Sequence, residues 1–290
     1  MKNFYMRNQF EIYHIKAFTT NPSEGNAAAV MFGDKLTDQQ MQFIAKQTNY
    51  SETAFLSSSA KADYKLQWFT TLKETDLCGH ATIASLHFLS ENKIGTNANC
   101  ITFETRSGIL KCFKNNDLYE IQMPFYEVHE LNIQKDDILN AYKIPGNIVD
   151  DNTPVLTLSN SYVFVKIKSY KDLVSYKPMS DDDNEIIRKF PDISLYTTDT
   201  LDSNAAHQRF FSPGYGIIED PVTGSASAYL ALVLLHLGLI SEQSLSDSIT
   251  IEQGDHLCKK GRVKVRFNKS RQELVISGNA VTFLKGNIII

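Results

Sequence analysis

The chain has 290 residues, 42% of them hydrophobic and 21% charged, a globular balance that excludes disorder and allows two domains of ordinary size. Its formal net charge of −4, with no basic run, excludes the positive surface that a nucleic-acid partner needs and gives no reason to expect a membrane partner.

The opening run MKNFYMRNQFEIYHIKAF is broken by polar residues throughout and lacks the apolar core of a signal peptide. Thr37 with Gln40 has the form of a capping box, and Met41, Ile44 and Ala45 then share one face, which predicts a helix. Ser51-Glu52-Thr53 follows and opens the apolar run Ala54-Phe55-Leu56. Glu52 is either a solvated loop residue or a carboxylate at the edge of a buried strand. In the second case partial desolvation would raise its pKa and suit acid/base work. Tyr64, Leu66 and Trp68 alternate with polar residues, as do Tyr119, Ile121 and Met123, and later Val263, Val265 and Phe267; each run predicts a strand with one face on a core. The polar stretch from Ser180 to Lys189 reads as a surface loop or short helix.

Two further segments predict helices of another kind. Ala81 to Leu89 carries Ile83, Ala84, Leu86 and Phe88, and Ala226 to Ile240 is apolar almost everywhere. The longest apolar stretch, Tyr229 to Ile240, includes His236 and falls short of the roughly 20 residues that span a bilayer, so a cytoplasmic protein is expected. A soluble helix that is apolar all round must be enclosed by protein, and strands are what the chain offers for the purpose. The expected fold class is therefore α+β, with two domains that each curl a mostly antiparallel sheet around one central helix.

The two regions also resemble each other. Trp68-Phe69-Thr70 leads to Gly79-His80 and the first buried helix, and Phe210-Phe211-Ser212 leads to Gly224-Ser225 and the second. A duplicated half-molecule is the reading this favours, the first half running to about residue 120. A helix start presents unpaired N–H groups and the positive end of the macrodipole, and glycine there lets a ligand come close to the backbone. If both starts serve one cleft, a small carboxylate is the ligand they suit; otherwise Gly79 and Gly224 simply make tight turns. Asp220 is either a capping acid or a site residue. His80 is either a surface histidine or a ligand contact, and the helix dipole would favour its neutral form. The four cysteines, Cys78, Cys100, Cys112 and Cys258, form no C-x-x-C pair, and no metal site is expected.

Five ordered segments resemble the signatures of the phenazine biosynthesis PhzF-like family. They are Gly25-Asn26, Ser51-Glu52-Thr53, the run from Phe69 to Thr82, the run E-D-P-V-T-G-S-A from Glu219 to Ala226, and Glu252-Gln253-Gly254 with Gly261-Arg262. The resemblance implies a diaminopimelate epimerase-like fold with the site between two pseudo-symmetric domains. It implies halves of about 1–120 and 121–282, with a C-terminal strand near 283–290 returning to the first half. It implies Glu52 as the acid/base, with His80, Asp220 and Ser225 as further catalytic positions and Ser51, Gly79, Gly224, Gly25 and Asn26 around the substrate. A cofactor-free isomerase acting on a small anionic substrate, in a homodimer, is the activity implied. The chain departs from the family pattern at Ala27, Thr71 and Val263, where proline is frequent. Three other functions compete. A two-cysteine epimerase needs a second thiol where Thr223 stands, and a serine hydrolase needs a G-x-S-x-G elbow that T-G-S-A-S around Ser225 is not. A non-catalytic binder of small anions or of a partner is the third.

Overall fold

The computed structural model of the chain describes residues 9–95, 100–158, 161–178 and 184–290. They form two compact units, one made of residues up to 23, 27–121 and 279–290, the other of 24–26 and 122–278. In chain order the first contains β1 (Gln9–Ala17), β2 (Asn26–Phe32), α1 (Asp38–Thr48), β3 (Glu52–Ser57), β4 (Tyr64–Phe69), β5 (Glu74–Thr75), α2 (Gly79–Glu91), β6 (Cys100–Thr105), β7 (Gly108–Asn115) and most of β8 (Leu118–Met123). The second contains β9 (His129–Glu130), α3 (Lys135–Ala141), β10 (Leu156–Leu158), β11 (Tyr162–Lys166), α4 (Tyr170–Ser175), α5 (Glu185–Lys189), β12 (Asp192–Thr197), β13 (Ala206–Ser212) and β14 (Ile217–Asp220). It continues with α6 (Gly224–His236), α7 (Glu242–Asp247), β15 (Ile249–Gln253), β16 (Gly261–Asn268) and β17 (Glu273–Gly278). The last strand, β18 (Ala280–Ile289), belongs to the first unit and pairs antiparallel with β1 from Gln9↔Ile289 to Ala17↔Ala280. The fold is α+β, a mixed curled sheet with few helices.

Within the first unit the ladder runs β2–β3 parallel, β3–β4 antiparallel, β4–β6 parallel, then β6–β7 and β7–β8 antiparallel. α1 lies on this sheet by one face only. Met41, Ile44 and Ala45 pack with Ile12, Met31, Phe55 and Phe69. Its start is fixed as the sequence predicts: Gln40 N–H donates to the Thr37 hydroxyl and the Gln40 side chain accepts from Thr37 N–H.

α2 is different. Ten of its residues, from Gly79 to Leu86 with Phe88 and Leu89, are buried, and β1, β3 and β18 lie against it. Burying each of its large side chains contributes roughly 1.5–3 kcal/mol. The polar residues a buried helix must carry are satisfied within it, since Thr82 Oγ1 donates to Cys78 O at 2.6 Å and Ser85 Oγ to Ala81 O at 2.7 Å.

α6 occupies the corresponding place in the second unit, against β11, β15, β16 and β17, with Ala226 to Leu234 buried. The helix predicted to Ile240 stops at His236, because Gly238 takes a left-handed conformation (φ +66°) and Leu239 N–H folds back to Leu234 O. A second core, built on Ile138, Val163, Ile167, Leu173, Ile187, Leu195 and Phe211, packs the smaller helices of this unit. Of the stretch read as loop or short helix, residues 180–183 lie outside the described residues, and Glu185–Lys189 is a short helix capped by Asn184. No helix among the described residues is long and apolar enough to cross a membrane.

Candidate active site

Each unit brings one group of the predicted residues together. In the first, β3 begins at Glu52 and α2 begins at Gly79, so the strand start and the helix start converge on three side chains. His80 Nε2 lies 3.2 Å from Glu52 Oε2 and 3.3 Å from Ser51 Oγ, and Cys78 Sγ lies 3.5 Å from His80 Nδ1. The side chains of His80 and Glu52 are only 6% and 12% exposed. His80 Nε2 meets Glu52 Oε2 at ion-pair distance without the alignment of a strict hydrogen bond.

Two electrostatic expectations are corrected here. Burial does push the Glu52 carboxyl up, but the positive charge of His80 and hydrogen bonds from His80, Ser51 and Cys78 outweigh it and hold the group below the ordinary glutamate value. Burial likewise opposes a charged His80, yet Cys78 and Glu52 beside it raise the imidazole well above its ordinary value, against the helix dipole. Burial and the Glu52 charge push the Cys78 thiol up to about 11. These directions favour the charged carboxylate and imidazolium as a pair, beside a neutral thiol. Glu52 is thus a largely buried carboxylate with an imidazole beside it.

The second group surrounds the start of α6. Asp220, at the end of β14, is buried and accepts hydrogen bonds from Asn26 Nδ2 at 2.8 Å and from the Thr223 hydroxyl at 2.5 Å. It is not the cap of the helix. The N-cap is Thr223, whose side chain makes no capping bond. Asn26 Nδ2 also donates to Val222 O, and Gly25, with φ +68°, donates its N–H to Lys260 O, so the early Gly-Asn turn braces the loop before α6. Ser225 Oγ accepts from the Tyr162 hydroxyl at 3.0 Å, and Gly224 is buried at the helix start. Neither α2 nor α6 has a side-chain cap, so the first N–H groups of both are left for other acceptors.

Residues with no predicted role turn out to hold this second group. Gln253 Oε1 accepts from Thr223 N–H at 2.9 Å while its Nε2 donates to Asp220 O at 2.8 Å, so one amide clamps both ends of the turn. Gln208 Nε2 donates to Gln253 Oε1 and to Ser227 Oγ. The glycines around Gln253 are demanded by contact. A Cβ on Gly254, which has φ +86°, would sit 2.4 Å from Lys259 O and 2.7 Å from Pro221 O. One on Gly261 would sit 2.3 Å from a Val222 methyl. The string E-Q-G…G-R therefore carries the support of the α6 start, a role its spacing alone does not disclose.

Comparison with known proteins agrees with the motifs. The family profile described as "Phenazine biosynthesis-like protein" matches residues 15–286. A Clostridium acetobutylicum protein named as an uncharacterized isomerase is 32% identical, covering 98% of this chain and all of its own length. The Escherichia coli protein YddE, also named as an uncharacterized isomerase, is 30% identical over 93% of this chain and 95% of its own. A crystal structure of a Bacillus anthracis phenazine biosynthesis protein of the PhzF family superposes with a TM-score of 0.86 at 27% identity, covering 98% of this chain and 100% of the other.

Proposed function

Because this chain belongs to the phenazine biosynthesis-like PhzC-PhzF family, we propose that it is an isomerase that moves a proton on a small carboxylate-bearing substrate, with Glu52 as the acid/base. The observation that carries the reading is the buried Glu52–His80 pair. A carboxylate held ionised and largely shielded from water, beside an imidazole 3.2 Å away, has the form a carbon base requires. In the proposed step Glu52 takes a proton from a carbon beside an unsaturated system. The electron pair left behind delocalises, and Glu52, after its proton exchanges with solvent, delivers a proton to a different carbon, so the product is an isomer and nothing else is consumed. The protonated His80 and the free N–H groups of Gly79 and His80 stabilise the negative charge as it develops. Asp220, Ser225 and the N–H groups at Gly224 hold and orient the substrate's polar groups. The reading requires both helix starts to serve one substrate molecule. The names of the relatives support the reaction class, and the homodimer implied by the family resemblance is part of the same proposal, read by sedimentation.

The two-base epimerase receives no support from the chemistry around Cys78. Its thiol is pushed up to about 11, and the corresponding Thr223 donates its hydroxyl to Asp220. The test is incubation with candidate cyclic amino or hydroxy acids in heavy water. Deuterium is expected in a substrate carbon in the wild type and lost in Glu52→Gln. Unchanged exchange in that variant removes Glu52 from the central role, and binding without exchange under any condition favours the non-catalytic binder.

A further inference from the structure

We propose that Tyr162 is a positioning residue for the substrate: its hydroxyl donates to Ser225 Oγ and so commits Ser225's own proton to the bound molecule, which selects a hydrogen-bond acceptor at the start of α6. The inference rests on the reading above that Ser225 holds the substrate, and not on Glu52 as the base. Tyr162 opens β11, and its hydroxyl lies 3.0 Å from Ser225 Oγ. Its ring is locked in place. It meets Tyr229 edge-on with 4.9 Å between centroids and lies against Phe210 at 5.9 Å, and both of those rings are buried. Tyr229 stands four residues after Ser225 on the same face of α6, so the packing that holds the ring also sets its distance from the serine. The direction of the bond follows from chemistry. A phenol's oxygen lone pair is drawn into its ring, which makes it a better donor and a poorer acceptor than a serine hydroxyl. Burial, with the negative charge of Asp192 nearby, raises the Tyr162 phenol well above the ordinary tyrosine value and keeps its proton in place. Ser227 and Thr82 turn their own protons back on helix carbonyls, Thr223 O and Cys78 O. Ser225 differs. It is half-buried, and among the described residues no acceptor meets its proton. That proton is left, like the first N–H groups of α6, for an acceptor outside the fold, and an ammonium group at the same place would meet donors only.

The test is a double-mutant cycle on the whole protein, with benzoate as the probe and titration calorimetry as the readout. Tyr162→Phe keeps the ring and its packing and removes only the hydroxyl, and Ser225→Ala removes the donor that this hydroxyl aims. The wild type is expected to bind benzoate, and to bind benzylamine, of similar shape but bearing donors only, at least about 10-fold more weakly. Tyr162→Phe is expected to weaken benzoate about 3- to 10-fold, the worth of one neutral hydrogen bond, and to leave benzylamine unchanged. Ser225→Ala is expected to weaken benzoate about 10- to 100-fold, and adding Tyr162→Phe to it to cost nothing more. Tyr126→Phe, which removes a more exposed hydroxyl from a ring packed on Tyr229, is expected to bind benzoate as the wild type does. A tyrosine with a merely structural role would weaken binding equally with and without Ser225 and for both probes. That result overturns the assignment, as does an equal loss in Tyr126→Phe or a wild type that does not bind benzoate. In the heavy-water exchange assay Tyr162→Phe is expected to raise KM and to leave kcat within about 2-fold of the wild type; a loss confined to kcat overturns the assignment. If exchange depends on Glu52 while the cycle shows no coupling, the role of Tyr162 fails and the isomerase reading stands. If the cycle couples as expected while Glu52→Gln exchanges normally, that reading fails and the role of Tyr162 stands.

Discussion

The starts of α2 and α6 are built alike and equipped differently. Each follows an antiparallel strand pair, β4 with β5 and β13 with β14, and each strand pair is flanked by the same sequence of ladders: parallel, antiparallel, then parallel again. In each, a hydroxyl four residues into the helix donates back to the N-cap carbonyl, Thr82 to Cys78 O and Ser227 to Thr223 O. Yet the first start gathers titratable groups, Glu52, Cys78 and His80, whereas the second gathers hydroxyls, amides and one carboxylate braced by Asn26, Thr223 and Gln253. Similar backbones thus carry a titratable set at one helix start and a hydrogen-bonded set at the other; on the proposed reading the first transfers the proton and the second holds the substrate. The lesson is that the repeat fixes the scaffold, while a few positions beside each glycine decide the chemistry.

The comparison is most exposed to a paired substitution. Glu52→Gln is expected to lower the exchange turnover about 10²–10⁴-fold, the worth of a positioned acid/base. Asp220→Asn is expected to lose less, and to lose it in KM. Steady-state kinetics on both variants would break the division of labour if Asp220→Asn matched Glu52→Gln in kcat. Next in size are the helices themselves. Leu86→Ala in α2 and Leu234→Ala in α6 each empty a fully enclosed position and are expected to cost about 2–5 kcal/mol in denaturant unfolding. A near-zero cost in either would mean that its helix is not the centre of its unit.

Smaller still are the hydroxyls. Ser227 also accepts from the buried Gln208 amide, so Ser227→Ala is expected to cost about 1–3 kcal/mol, and Thr82→Val, which strands no partner, less than about 1 kcal/mol. Equal losses would show that the two positions are more alike than their surroundings. The least change is expected in the wild type itself on mild acidification. Glu52 is held below the ordinary 4.5, so it stays ionised as pH falls toward that value and is protonated only beneath it. The acid limb of the rate profile should therefore lie below pH 4.5. In His80→Asn, which keeps the burial and removes the charge, the limb is expected to move upward; a limb that stays in place would mean that His80 does not set the state of Glu52.

How far the sequence disclosed this can be judged residue by residue. The apolar girth of Ala81–Leu89 and Ala226–Ile240 required enclosure; most of the first segment is enclosed, and so is the second as far as Leu234, beyond which the helix ends and the chain reaches the surface. The Thr37–Gln40 box was legible for the same kind of reason, since its partners are three residues apart. The pKa shifts of Glu52 and His80 were not legible, because they depend on burial and on the pairing of Glu52 with His80, 28 positions apart, with Cys78 beside both, which only folding brings about. Gln253 was hidden likewise. Its string matched the family, but its task depends on Asp220 and Thr223, and Asn26 meets Asp220 across 194 residues.

The seam between β1 and β18 has a consequence for how the protein is made. Strand β1 leaves the ribosome long before its partner β18 and must wait for it, from Gln9↔Ile289 to Ala17↔Ala280. At about 5–20 residues per second that wait is on the order of tens of seconds. For all that time a nine-residue edge stands open to any passing strand, so nascent chains of this protein should be customers for chaperones until β18 has emerged.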